Sequence, residues 1–236
     1  HKTPYEMLRS LVGSEMCIRD RQKVEAGTAD IIERHVALER RVVFVPFQDV
    51  AEVADTRGGS VAGYQRWNLF LQKGIRKYAK GRNDPLRHAV SRMSAYLHYG
   101  MVSPMRLARD ANAVNAEKYL DELLIWRELA YHFCFHRHDV ERLSALPHWA
   151  QETLKEHARD PRSEIYSWEE LARGRTGDEV WDAAQASLLK HGELHNNIRM
   201  TWGKAIPKWS NSVEQSLTRA QNFNENYALD GRAPAS

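Results

Sequence analysis

Cysteine is scarce in this chain. Only two occur in 236 residues, Cys17 and Cys134. They lie far apart and outside any CxxC or Cys/His ligand spacing, which argues against a disulfide framework or a zinc site and fits a reducing compartment. Long apolar runs are missing too. The most apolar short stretch, VVFVPF, is strand-sized, whereas a membrane helix takes about 18 uninterrupted apolar residues. The expectation is a soluble, intracellular protein. Neither sign of charge dominates, with 34 Lys and Arg against 31 Asp and Glu, so a polyanionic partner is permitted but not demanded. The sequence has no Walker loop, no nucleophile–base triad pattern and no internal repeat. Its 11 histidines include His132 and His136 at the spacing of a metal-binding helix, but the rest of a ligand set is not evident and no metal is expected.

What is present is ordinary globular composition, 42% hydrophobic and 28% charged, in a chain long enough for one core and a small second domain. Residues 1–21 lack the parts of a signal peptide and resemble the translation of a sequencing-library adapter, so they are set aside as non-native. In residues 22–58 a helical pattern, ADIIERHVALERR, precedes the possible strand VVFVPF, too little for a parallel sheet of its own. After the break at RGGS, strand signals almost vanish. The stretches SVAGYQRWNLFLQKGIRKYAKG, SPMRLARDANAV, AEKYLDELLIWRELAYHFCFH, PHWAQETLKEHARD, SWEELARG, DEVWDAAQASLLKHG, ELHNNIRMTWGKAIPKW and SVEQSLTRAQNFNENYAL all read as helix. Ser103, Ser167 and Asp178 supply start signals, and Gly174 and Gly192 supply stops. The predicted fold class is all-α over residues 59–236.

Three clusters could carry chemistry. In NDPLRHAVSRMSAYLHYGMVSP, serines, an arginine and backbone amides gather before a helix, as a phosphate site would require, although the same residues also make capped turns that bind nothing. In DELLIWRELAYHF, Glu122 and Trp126 share a face at i, i+4, beside Arg127 and Glu128. Glu122 and Trp126 could clamp a planar ring, or the Glu and Arg neighbours could form a surface or buried ion pair with Trp126 in the core. In HNNIRMTWGKAIPKW, Asn196, Arg199 and Trp202 form a line on a helix expected to be largely buried, so Arg199 needs a carboxylate, a phosphate or a cofactor ring as partner. Trp202 and Trp209 lie two turns apart, roughly 10 Å, with Pro207 expected to bend or end the helix near Gly203. Trp181, on the preceding helix, is within easy reach of that face. The indoles form either a packed ridge or an electron relay.

In order and spacing, GYQRW…IRKYAKGRNDP, SRMSAYLHYGMVSP, ELLIWRELAYHF, YSWEELARGRTGDEVWDAAQ, GELHNNIRMTWGKAIPKW and NENYALDGRAP resemble the flavin-binding helical domain of the photolyase/cryptochrome family, most closely the class II cyclobutane-pyrimidine-dimer photolyases. The resemblance implies a multi-helical FAD-binding domain that holds a U-shaped FAD. It implies that Tyr78, Ser91, Arg92, Met93 and Ser94 meet the phosphates and ribityl chain, and that Arg127, Arg199 and Asp230 surround the flavin. It implies further that Asn224 faces the reactive ring nitrogen, that Glu122, Trp126, Asn196 and Met200 contact a flipped-out pyrimidine dimer in UV-damaged DNA, and that Trp181, Trp202 and Trp209 form the photoreduction chain. The implied activity is light-driven dimer repair by electron transfer from reduced FAD, in a monomer with no membrane contact. The alternatives are a cryptochrome-like photosensor without repair and a flavin-free helical module that binds nucleic acid by charge. Because the family carries an α/β antenna domain before this region and further chain after it, residues 22–58 are expected to be a remnant of that domain and residues 59–236 a C-terminally truncated helical domain.

Overall fold

The computed structural model describes residues 53 and 55–236. The chain divides into two compact units, His1–Asp49 and Val50–Ser236, and the account below concerns the second. The adapter-like segment, the helix and strand expected in residues 22–47, and Cys17 lie outside the described residues.

Every regular element among the described residues is helical, as the patterning predicts. Helices α1 (Ser60–Lys73) and α2 (Ile75–Gly81) come first, followed by α3 (Ser94–His98) and α4 (Pro104–Ala113). Next, α5 (Glu117–Leu120) runs through a π-helical turn, Asp121–Trp126, into α6 (Arg127–His136). Then come α7 (His148–Glu156), α8 (Trp168–Ala172) and α9 (Glu179–His191). Finally α10 (Asn196–Ala205) tightens into a 3₁₀ turn, Ile206–Trp209, before α11 (Val213–Tyr227).

The start and stop signals act as their chemistry requires. Ser103 accepts from the Arg106 amide, Ser167 and Glu170 form a reciprocal capping box, and Asp178 accepts from the amides of Val180 and Trp181. Gly174 and Gly192 take positive φ, 61° and 64°, a left-handed conformation that suits a residue without a Cβ.

Two expectations need correction. SVAGYQRWNLFLQKGIRKYAKG is not one helix but two, because the Phe70 ring lies over Gly74, where a Cβ would sit 2.5 Å from Phe70 Cδ2. The Gly74 amide closes α1 on Phe70 O, and the chain restarts at Ile75. The change that Pro207 was expected to impose near Gly203 comes two residues later. α10 continues to Ala205, and Pro207 sits in the first turn of the 3₁₀ segment, where a missing N–H leaves no bond unmade.

The helices close over two apolar cores. The first gathers Trp67, Phe70, Tyr78, Met93, Tyr96, Leu107, Tyr119 and Leu123. Trp67 is fully buried, and its indole N–H donates to Asp110 Oδ2 at 2.9 Å. The second gathers Leu171, Trp181, Leu188, Trp202, Ile206 and Phe223. Gly63 lets α1 approach the first core: a Cβ there would sit 2.6 Å from Val102 Cγ1 and 2.9 Å from Tyr96 Cδ1. Gly63→Ala is therefore expected to destabilise by about 1–3 kcal/mol through overpacking, less the roughly 1 kcal/mol that alanine gains over glycine inside a helix. A thermal melt would show this as a lower Tm.

Candidate functional site

The helix from α5 to α6 contains one wide turn, closed by the Arg127 amide donating to Glu122 O. The expected α-helical i, i+4 geometry of Glu122 and Trp126 is thus replaced by a π turn, a feature often found at functional sites. Upstream, Leu120 and Leu123 stay in the first core at 3% and 6% exposure, while downstream Trp126 is 57% exposed. The turn hands the helix from a packed segment to an open one.

Glu122 is held at the start of this turn. Its Oε1 lies 2.8 Å from both Arg82 Nη2 and Lys118 Nζ, so two cations fix the carboxylate in place. Beneath it, burial and the Glu122 charge push the Tyr78 phenol above its usual pKa. Arg82 in turn ties this group to α10. Its carbonyl accepts from His195 Nε2 at 2.9 Å, and Asn83 O accepts from Asn197 Nδ2 at 2.7 Å. His195 Nδ1 accepts from the Asn197 amide at 3.3 Å, so the ring is the neutral tautomer protonated on Nε2, and it caps α10.

Along α10, Trp202 is the only buried residue. The expectation of a largely buried helix is corrected: Asn196 and Met200 face outward, with Asn196 Nδ2 4.0 Å from Met200 Sδ, because no described element covers that face. Arg199 finds the partner it requires in Asp230, with Nη2 2.8 Å from Oδ1 and both side chains more than four-fifths buried. Nearby, Asn224 donates to Gly231 O at 3.1 Å and to Ser236 Oγ at 2.9 Å, while its Oδ1 is buried without a partner. His98, at the end of α3, feels the Asp230 and Arg232 charges, and burial holds its imidazole below the ordinary pKa.

The phosphate candidates separate by environment. Ser91 Oγ accepts from Tyr119 at 3.3 Å, and burial pushes the Tyr119 phenol up. Arg92, at φ 54°, pairs with Asp55 at 3.3 Å and with Glu193. Met93 is a core side chain at 1% exposure, and Ser94 is exposed at the start of α3. Arg127 is engaged on its own helix, donating to Glu128 at 2.6 Å and lying 4.3 Å from the Tyr131 ring centroid. This is the local ion pair the sequence allowed. The structure therefore joins Glu122, Arg82 and Tyr78 to the N-terminus of α10, and gathers Asp230 and Asn224 around Arg199 further along the same helix.

The three indoles form a continuous series with Trp181 in the middle. Trp181 stacks on Trp202 at 6.1 Å and 9°, and meets Trp209 edge-on at 5.4 Å and 82°. Its N–H donates to Trp202 O at 3.0 Å, and the Trp202 N–H donates to the buried Gln185 Oε1 at 3.0 Å. The series passes from a fully enclosed ring to the half-buried Trp209.

Residues 119–208, which include the π turn, α9, α10, Trp181 and Trp202, match the model of the FAD binding domain of DNA photolyase. The chain belongs to the photolyase family. It is 37% identical over 179 residues to a deoxyribodipyrimidine photo-lyase of Methanothermobacter thermautotrophicus, covering 75% of this chain and 40% of that protein. A deoxyribodipyrimidine photo-lyase of Oryza sativa is 38% identical over 70% of this chain and 34% of its own length. That of Potorous tridactylus is 34% identical over 79% and 36%. The chain thus spans 40% or less of the length of these relatives. In fold it is similar to a class III photolyase from Agrobacterium tumefaciens, with a TM-score of 0.60 at 23% identity over 75% of this chain and 36% of that one.

Arg82, Lys118 and His195 were not legible as site residues in a photolyase domain read from sequence alone. The available signal was a cation beside Asn83 and a histidine immediately before Asn196, neither of which has a spacing rule. Among the described residues no cluster of three or more His, Cys, Asp and Glu could hold a metal, and no helix is long and apolar enough to cross a membrane.

Proposed function

We propose that this domain repairs cyclobutane pyrimidine dimers in DNA, using light and reduced FAD in the manner of the class II enzymes. The observation that carries the reading is the role of α10. Its N-terminus is tied through Arg82 to Glu122, its middle holds the Arg199–Asp230 pair, and Trp202 on the same helix opens the indole series. The residues fit a flavin: Asn224 Oδ1 is a buried acceptor with no partner, suited to an N–H on a ring edge, and Arg199 supplies a cation beside it. When bound and reduced, FAD would supply the light-driven electron that splits the dimer and then recover it.

The residues of this chain bind, orient and shield. Glu122 offers its acceptor to the N–H edge of a base. Trp126 offers an exposed ring for stacking, and Asn196 and Met200 complete an open amide and thioether edge. Tyr78, Ser91, Arg92 and Ser94 lie toward the phosphates, and Arg127 and Asp230 lie around the ring system. Trp202, Trp181 and Trp209 carry oxidising equivalents outward, ending at a half-buried ring. Trp209→Phe is therefore expected to slow light-driven reduction of oxidised flavin while leaving flavin content unchanged, as read by absorption during illumination.

The deciding experiment is the absorption spectrum of the purified protein, followed by illumination with a thymine-dimer oligonucleotide. Flavin with light-dependent loss of dimers supports repair. Flavin with photoreduction but no repair would select the photosensor reading, and protein without flavin would sink both.

A further inference from the structure

Arg92 stands where glycine would cost least. Its φ of 54° lies in the left-handed region, which a residue with a Cβ enters at a cost, so the reason for arginine here lies in its side chain. The guanidinium meets two carboxylates from separate parts of the chain. Nη2 donates to Asp55 Oδ2 at 3.3 Å, in the segment ahead of α1, and pairs with Glu193 Oε1, in the turn between α9 and α10. His191 Nδ1, at the end of α9, lies 3.2 Å from the same Asp55 oxygen. Asp55 O also accepts from Arg66 Nη2 of α1 at 3.0 Å.

The cluster is poorly made for an anion. One guanidinium faces two carboxylates, so a phosphate finds no surplus positive charge on this side chain. It is well made for holding a turn. Gly192 O accepts from the Leu229 amide at 2.8 Å, and a Cβ on Gly192 would sit 2.7 Å from Leu229 Cγ and 3.1 Å from Val53 Cγ2. The segment before α1, the α9–α10 turn and the chain after α11 thus close on one another at this point. Asp230, which follows Leu229, is the partner of Arg199 on α10. Both halves of that ion pair therefore depend on the turn that Arg92 grips: α10 begins three residues after Glu193, and Leu229 is bonded to Gly192.

We infer that Arg92 is a positioning residue, whose side chain bolts the Gly192–Glu193 turn to the segment ahead of α1 and so sets where Arg199 and Asp230 stand beside the flavin. This rests on the proposed repair function and gives the Arg92 guanidinium a role there other than a phosphate contact. Removing either Arg92 or Glu193 frees the turn, so Arg92→Gln and Glu193→Gln should change flavin affinity in the same direction. A guanidinium that binds phosphate predicts opposite signs, because Glu193→Gln would release the cation and remove a competing carboxylate.

The test is titration of FAD into the flavin-free full chain, followed by flavin fluorescence. Coupling carried through packed elements is worth roughly 2- to 30-fold in affinity. R92Q and E193Q are each expected to weaken FAD binding within that range, and R92Q/E193Q to lose no more than the larger single loss, because the two side chains act as one contact. R92K, which keeps the cation, should recover part of the affinity. Circular dichroism and thermal melting check that each variant is folded at the titration temperature, and D55N, expected to act in the same direction, gives the same reading if R92Q or E193Q does not fold. An E193Q or D55N chain that binds FAD as tightly as the wild type, or more tightly, overturns the bolt while leaving the repair reading intact. So does a lowered Tm in R92Q with FAD affinity unchanged. A wild-type chain that takes up no FAD overturns both.

Discussion

Arg199→Ala is expected to lower the unfolding free energy by about 3–5 kcal/mol, the usual result of removing one partner of a buried ion pair. Arg199 and Asp230 are 17% and 13% exposed at their side chains and meet at 2.8 Å. Without the guanidinium, Asp230 is left as a largely desolvated carboxylate. Arg199→Lys should recover only part of the loss, because the guanidinium donates to both Asp230 Oδ1 and Ser236 Oγ from a rigid fork that an ammonium does not reproduce. The double variant R199M/D230N removes both charges and is expected to be more stable than R199A, a difference that urea unfolding would resolve. A double variant no more stable than R199A would show that the pair is not what holds these elements together. Under the proposed function the same substitution also lowers flavin retained on purification, since Arg199 lies beside Asn224 and its unpartnered oxygen.

The elements were legible because their local chemistry is strong. Ser167 with Glu170, Asp178 and Gly192 each satisfy backbone groups that a helix end cannot satisfy itself, and the structure uses all of them. Trp181 and Trp202 were legible as neighbours because adjacent helices pack within reach of two indoles, although sequence could not say that Trp181 stands between the other two. The π turn was hidden: DELLIW has an apolar pattern that fits an α-helix equally well, and the wide turn emerges only when Leu123 packs in the core. The Gly74 break was hidden for a similar reason, since it follows from where the Phe70 ring lies. Periodicity also reports an apolar stripe without reporting whether anything covers it, which is why α10 was expected to be buried.

Loss of the lesion clamp should reduce binding while leaving the fold in place. Trp126 is 57% exposed, so Trp126→Ala is expected to change stability by no more than about 0.5 kcal/mol. Its ring is proposed to stack on the flipped dimer, and stacking on an aromatic side chain is worth about 1–3 kcal/mol per base, so affinity for dimer-containing DNA should fall roughly 5- to 150-fold. Glu122→Ala removes an acceptor that Arg82 and Lys118 hold in place. A hydrogen bond to a charged group is worth about 1.5–3 kcal/mol, a loss of roughly 10- to 150-fold, and Glu122→Gln, which keeps an oxygen but not the charge, should fall between. Affinity for undamaged duplex should be unaffected by Trp126→Ala, because phosphate contacts do not depend on the base. The two substitutions act from opposite ends of one π turn. If the turn presents them as a unit, their combined loss should be smaller than the sum of the single losses, with the double variant binding damaged and undamaged DNA alike. Strict additivity would mean that Glu122 and Trp126 act on the ligand separately and that the wide turn is a packing feature of the first core.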